Sequence, residues 1–235
     1  MFVEGFVKFL RALSFFAASL LIYLIIPLLG WGLGNLQGYF TSAPRLGYAV
    51  VVGLFSLAVA IQAHYSTSGI RGGTGEQGKL VLRQRAVRIL LIFALYLALF
   101  FIPFFDRHSV GVFPAPGGIR WLGVAFSALG YSLIFLSGLA LGRQYSQDVT
   151  IQKGHQLISH GVYRTIRHPR YLGIIALAIG VSLLFRSWIG LIATLVFTSV
   201  LLYRIRDEEA SMQKEFGSQW EAYCQCTWRL IPYMY

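Results

Sequence analysis

Apolar residues along this chain gather into long runs, and polar residues gather in the short connections between them. Six runs are candidate membrane spans: 6–30, 46–63, 87–105, 119–141, 171–185 and 188–203. A hydrocarbon core about 30 Å thick takes about 20 apolar residues in helical form, and the first four runs are comfortable at that length. The last two are shorter and are parted only by Arg186-Ser187, which predicts a tight helical hairpin near the lower limit for a full crossing. Backbone groups in lipid must bond within their own segment, so runs of this kind form helices. The expected fold class is all-α: a polytopic membrane protein of about six transmembrane helices, with a C-terminal helical hairpin and a cytoplasmic amphipathic tail.

The polar residues then orient the spans. Sixteen of the twenty Lys and Arg residues fall on one side of a six-span arrangement, and only Arg45, Arg107, Arg120 and Arg186 fall on the other. Positive charge is retained on the cytoplasmic side. Both termini, the 64–86 loop and the 142–170 loop are therefore predicted to be cytoplasmic. The chain divides into residues 1–118, with three spans and the 64–86 loop, and residues 119–235, with three spans, the polar 142–170 loop and the tail.

Composition agrees with a membrane setting. Of 235 residues, 56% are hydrophobic and 12% charged, against roughly 25% charged in soluble domains; the mean hydropathy is +0.63. The net charge of +11 caps apolar runs rather than forming a basic face with interleaved aromatics, which excludes a nucleic-acid partner. The bilayer is the expected partner, and the oligomeric state stays open. Cys224 and Cys226, in "YCQC", lack the further ligands that a zinc site needs, so they read as reduced thiols and no metal site is expected. The first apolar run is too long for a signal-peptide core and has no small-residue cleavage site, so it reads as a retained span. The compact loops favour a prokaryotic inner membrane over the endoplasmic reticulum.

Polar chemistry concentrates in "GHQLISHGVYRTIRHPRYLG", residues 154–173, which holds His155, His160 and His168. Pro169 suits the first turn of a helix, and the residue before it is pushed out of the helical region. A helix start offers backbone N–H groups and partial positive charge to an anion. Gly154 and Gly161 would let the backbone approach a ligand closely. Beyond the last apolar run, the same helix is expected to continue through Arg204 to Phe216 and end at Gly217. Arg204 and Glu208 are four apart on it and share a face, while the adjacent Glu208 and Glu209 need a nearby cation. "SQWEAYCQ" then reads as a short amphipathic helix with Trp220 and Tyr223 toward the membrane interface. Loop, helix start and Arg–Glu face would together enclose a pocket at the membrane surface, suited to a charged cofactor beside a substrate from the bilayer.

The order and spacing of "GHQLISHGVYRTIRHPRYLG", "RIRDEEASMQKEFGSQWEAY" and a closing "TWRLIP" resemble the isoprenylcysteine carboxyl methyltransferases and their prokaryotic relatives, sometimes grouped with the phospholipid methyltransferases. The resemblance covers roughly residues 120–235. It implies methyl transfer from S-adenosylmethionine at the cytoplasmic face to a carboxylate, as in isoprenylcysteine, or to another lipophilic substrate. It implies a cofactor pocket lined by His155, Gln156, Leu157, Ile158, Tyr163, His168, Pro169, Arg170 and Tyr171. Glu208 would hold the cofactor's ammonium group, and Arg204 would be the catalytic, substrate-side cation. Asp148 lies near a cofactor-lining family position where Gln is usual, and is left out of this set.

Membrane sterol reductases, which use NADPH, share R-H-P-x-Y and an aromatic-rich C-terminus and form the alternative reading. Against it, Arg170 stands where that class carries Asn, and "HGVY" where it favours paired tryptophans. A non-enzymatic membrane scaffold is the third reading, but it would not require a glycine-bracketed loop to meet an Arg–Glu face.

Overall fold

A computed structural model describes residues 2–65, 79–114, 116–142 and 157–234, with the side chains of 2–3, 79–85 and 88 left aside. Long helices account for most of them. The first span starts as α1 (Phe2–Leu20), widens into a π turn (Leu21–Ile25) and continues as α2 (Ile26–Trp31). A short helix α3 (Leu36–Phe40) precedes α4 (Ala43–Tyr65), α5 (Lys79–His108) and α6 (Gly117–Leu141). The polar stretch contributes a 3-10 turn at Gly161–Arg164, followed by α7 (Pro169–Leu184), α8 (Trp188–Phe216) and α9 (Ser218–Gln225).

Among the described residues, five helices are long and apolar enough to cross a membrane: Glu4–Trp31, Ala43–Tyr65, Ile89–His108, Gly117–Leu141 and Trp188–Phe216. The chain is an integral membrane protein. The expected sixth span, α7, has 16 residues, or about 24 Å of helix, short of the hydrocarbon thickness. Its hairpin partner is not short. α8 runs for 29 residues, because its helix continues through the charged segment to Gly217, whose φ of +50° ends it.

Small residues hold α6 and α7 together. Between α6 and α7, an added Cβ on Gly130 would lie 2.6 Å from the Gly173 carbonyl oxygen, and one on Gly180 would lie 2.5 Å from the Ser127 hydroxyl. Backbones that close gain dispersion contacts that lipid cannot replace.

At the end of the bundle away from the start of α7, Asp106 is almost fully enclosed, its side chain 1% exposed. Arg120 reaches it at 3.0 Å, Arg186 at 2.7 Å and Arg45 at 3.5 Å. These are three of the four arginines that the charge pattern assigns to the minority side. They join α4, α5, α6 and the α7–α8 turn through one carboxylate. Arg186 holds a left-handed backbone at φ +53°, a strained conformation for a side chain of its size, and its ion pair with Asp106 helps to hold it.

Candidate active site

Each wall of the site follows from a local feature. Gly161 takes φ +60° and opens the 3-10 turn that buries Tyr163. The chain then pairs briefly with the C-terminal segment. Arg167 and His168 donate their backbone N–H groups to the carbonyls of Trp228 and Arg229 at 2.8 and 3.1 Å, and Trp228 donates back to Thr165 at 2.9 Å. His168, at φ −123° and ψ 55°, stands outside the helical region, and Pro169 begins α7 as its fixed φ predicts. No side chain caps this helix start, so its first N–H groups depend on other acceptors.

Two neighbouring carboxylates on α8 face two different sets of partners. Glu208 accepts a hydrogen bond from Arg204 Nε at 3.2 Å and a short one from the Tyr171 hydroxyl. Arg204 Nε also donates to the Tyr171 oxygen at 2.9 Å, and His168 Nδ1 stands 3.8 Å from Glu208 Oε2. Arg204 is 8% exposed, so this is an enclosed triad rather than a wet-surface bridge. One residue on, the helix has turned by about 100°. There Glu209 meets Arg167 Nε at 3.1 Å, His168 Nε2 at 3.3 Å and Arg229 Nη2 at 2.6 Å. The cations that two adjacent carboxylates require thus come from α8 itself for Glu208, and from the loop and the C-terminal segment for Glu209. Arg167 also donates to the carbonyls of Cys224 and Thr227. His168 lies between the two carboxylates, stacked on Tyr171.

A cavity of about 1000 Å³ opens between α5, α7 and α8. Its polar end is lined by His168, Arg170, Tyr171, Arg204 and Glu208, together with Leu157, Ile158 and Tyr163. The structure therefore gathers eight of the residues singled out from sequence around one space. Pro169 is buried at the start of α7 and serves the backbone. His155 and Gln156, like Gly154, lie outside the described residues.

Trp220 and Tyr223 require a correction, because both line the cavity instead of turning to the membrane interface. Trp220 is 6% exposed, and the Tyr223 hydroxyl donates to the Tyr163 carbonyl at 2.7 Å. Polar cavity walls offer these amphipathic rings the same half-wet setting as a bilayer surface. Burial, and the nearby Tyr163, push the Tyr223 hydroxyl's pKa up against the pull of Arg167, so it remains a neutral donor. Burial likewise raises the Cys224 thiol, which disfavours the thiolate that nucleophilic chemistry needs. Sequence reasoning also missed Arg167, Ser211 and Met212 as lining residues, and the Glu209–Arg229 pair that holds Arg167. The Glu208-Glu209 pair was the available signal for such a cation cluster.

The apolar part of the cavity continues between Leu177 and Val181 of α7, Leu95 and Leu99 of α5, and Phe197 and Leu201 of α8. One charged mouth and one long greasy chamber share a single space. Residues 123–214 match the model of the isoprenylcysteine carboxyl methyltransferase (ICMT) family.

Over that segment the chain is similar to the ICMT family.

The matched segment holds Arg204, Glu208, His168 and Tyr171. A rice (Oryza sativa subsp. indica) protein named "Probable protein-S-isoprenylcysteine O-methyltransferase" is 29% identical over 119 residues, covering 49% of this chain and 62% of the rice protein. Mouse (Mus musculus) Delta(14)-sterol reductase TM7SF2 is 38% identical over 93 residues, covering 38% of this chain and 22% of the mouse protein. The chain thus spans less than two thirds of the length of these curated relatives. Among solved structures, that of the eukaryotic intramembrane Ras methyltransferase ICMT aligns over 98% of this chain and 96% of its own, with a TM-score of 0.47 and 17% identity.

Proposed function

We propose that this ICMT-like chain is an S-adenosylmethionine-dependent methyltransferase acting at the cytoplasmic membrane face, with a carboxylate on an isoprenylcysteine-like lipid as methyl acceptor. The observation that carries this reading is the single cavity that joins the Arg204–Glu208–Tyr171–His168 cluster to an apolar chamber. A water-soluble cofactor and a lipid-borne acceptor need such a meeting place. The excess of basic residues on the side of the 142–170 loop supports the cytoplasmic face.

The residues present fit the cofactor. Glu208 offers a carboxylate to an ammonium group, and the uncapped start of α7 offers N–H groups to a carboxylate. When bound, S-adenosylmethionine supplies an electrophilic methyl group on a sulfonium. A carboxylic acid acceptor with a pKa near 4 is already ionised at neutral pH, so the site needs no general base. Arg204 provides a cation whose planar fork matches a carboxylate, and Tyr171 and Glu208 orient it through Nε. Trp220 and Tyr223 add aromatic surface to the cavity wall, so the protein's contribution is alignment and desolvation.

Calorimetric titration of the detergent-purified protein with S-adenosylhomocysteine, beside NADPH, tests the reading. Micromolar binding of S-adenosylhomocysteine is expected, weakened at least tenfold in Glu208→Ala while the melting temperature shows folded protein. Methylation of a prenylcysteine is then the test of the acceptor. The similarity to a sterol reductase keeps a hydride-transfer enzyme as the second reading, and binding of NADPH alone would establish that one instead.

A further inference from the structure

The cavity extends beyond the segment that resembles the family. Ile22 and Tyr23 line it from the first span, beside Leu95 and Leu99 of α5, and all four lie outside residues 123–214. Ile22 and Tyr23 both sit on the π turn Leu21–Ile25. Such turns strain the hydrogen-bond ladder and occur frequently at functional sites. Here the turn leaves the Tyr23 carbonyl accepting the Tyr48 hydroxyl at 2.9 Å, and that hydroxyl lies 3.1 Å from the Tyr131 hydroxyl. Tyr131 and Phe55 meet the Tyr23 ring edge-on at 5.2 and 6.0 Å, and Phe55 stacks on Tyr131 at 4.5 Å. Tyr48 and Tyr131 are fully buried. The ring that borders the cavity is therefore backed by a packed aromatic layer and acts as a firm wall, not as a side chain free to swing into lipid.

The depth of that wall follows from helix register. From Arg204 the cavity lining continues along α8 to Gly190, fourteen residues or about 21 Å. Gly190 closes the far end, since an added Cβ would lie 2.6 Å from the Ser182 hydroxyl and 3.0 Å from Ile102 Cδ1. Gly30 packs on the backbone of Phe100, close to Ile102, and the first span and α5 run in the same direction. Tyr23 precedes Gly30 by seven residues, so it stands about 10 Å nearer the polar end, roughly halfway down. A lipid chain held by its head at Arg204 passes Tyr23 only if it is long enough to reach the lower half.

Resting on the reading that a prenylated substrate fills this cavity, we infer that Tyr23, with Ile22, is the specificity-determining wall that sets which isoprenoid chain length is accepted. The first span is thereby part of the substrate site. Tyr23→Ala opens the passage at mid-depth, and Ile22→Phe narrows it. Tyr23→Phe keeps the ring and leaves the preference where it is.

The experiment uses the full chain in detergent with S-adenosylhomocysteine, and S-prenylcysteine carboxylates carrying two, three or four isoprene units. Binding is read by thermal stabilisation, and methyl transfer to the same compounds is measured in parallel with S-adenosylmethionine. The affinity ratio of the four-unit over the two-unit chain is expected to rise about tenfold in Tyr23→Ala and to fall in Ile22→Phe. Tyr23→Leu stands in if the alanine variant does not fold. Unchanged ratios in folded variants overturn the inference, as does the absence of binding by every chain. A shifted binding ratio without methylation of any chain upholds the wall and overturns the proposed acceptor.

Discussion

Replacing Glu209 with Ala should detach the C-terminal segment from the site without removing a side chain of the cavity lining itself. The carboxylate is 11% exposed and accepts from Arg167, His168 and Arg229 at 3.1, 3.3 and 2.6 Å. Removing one partner from an enclosed ion pair costs about 3–5 kcal/mol, because the remaining cations are left uncompensated. Arg229 is 30% exposed and can turn to water, so the lower figure, about 3 kcal/mol, applies. In a chain of this size that corresponds to a fall in melting temperature of roughly 6–12 °C. A more local readout exists in Cys224, whose carbonyl accepts from Arg167 at 3.1 Å and whose thiol is partly buried and raised in pKa. In the parent protein the exposed Cys226 should react with a maleimide well before Cys224. In Glu209→Ala the two rates should converge as the α9 end of the cluster loosens, and Glu209→Gln, which keeps an acceptor, should fall between. A Glu209→Ala protein that melts within about 1 °C of the parent and labels with the parent's order of rates would refute the view that this carboxylate clamps the segment.

Four further outcomes are expected. Gly130→Val should abolish folded protein in detergent extracts, because even its Cβ would lie 2.6–2.7 Å from the Gly173 carbonyl and the Leu177 nitrogen. Gly53→Ala, with nothing within 4 Å, should fold normally and melt slightly higher, as alanine is favoured over glycine in a helix by up to about 1 kcal/mol. Asp106→Asn should lower the melting temperature, leaving Arg45, Arg120 and Arg186 around a neutral acceptor at a cost of several kcal/mol, while the folded fraction still binds S-adenosylhomocysteine with the parent affinity. Tyr171→Phe removes the hydroxyl shared by Arg204 and Glu208, and kinetic analysis should show kcat/KM for the lipid acceptor falling about tenfold with little loss of stability.

Sequence alone determined the elements of this protein. Apolar run length placed the first four spans, Pro169 placed the start of α7, Gly217 the end of α8, and "SQWEAYCQ" the last helix, because propensity, capping and hydrophobic patterning act over a few residues. The i,i+4 geometry of one helix made the Arg204–Glu208 pair legible for the same reason, and the spaced motif around His168 marked the polar end of the site. Only the tertiary structure decided the rest. Glu209 finds cations 42 residues upstream and 20 residues downstream, Asp106 gathers arginines from three other parts of the chain, and Trp220 and Tyr223 turn inward because a cavity wall is there to meet them. The π turn that brings Tyr23 to the chamber carries no local signature, since any apolar helix can hold it once neighbouring rings support it. Contacts of that kind depend on which helices pack together and at what depth, and that is information held by the assembled bundle rather than by any stretch of the chain.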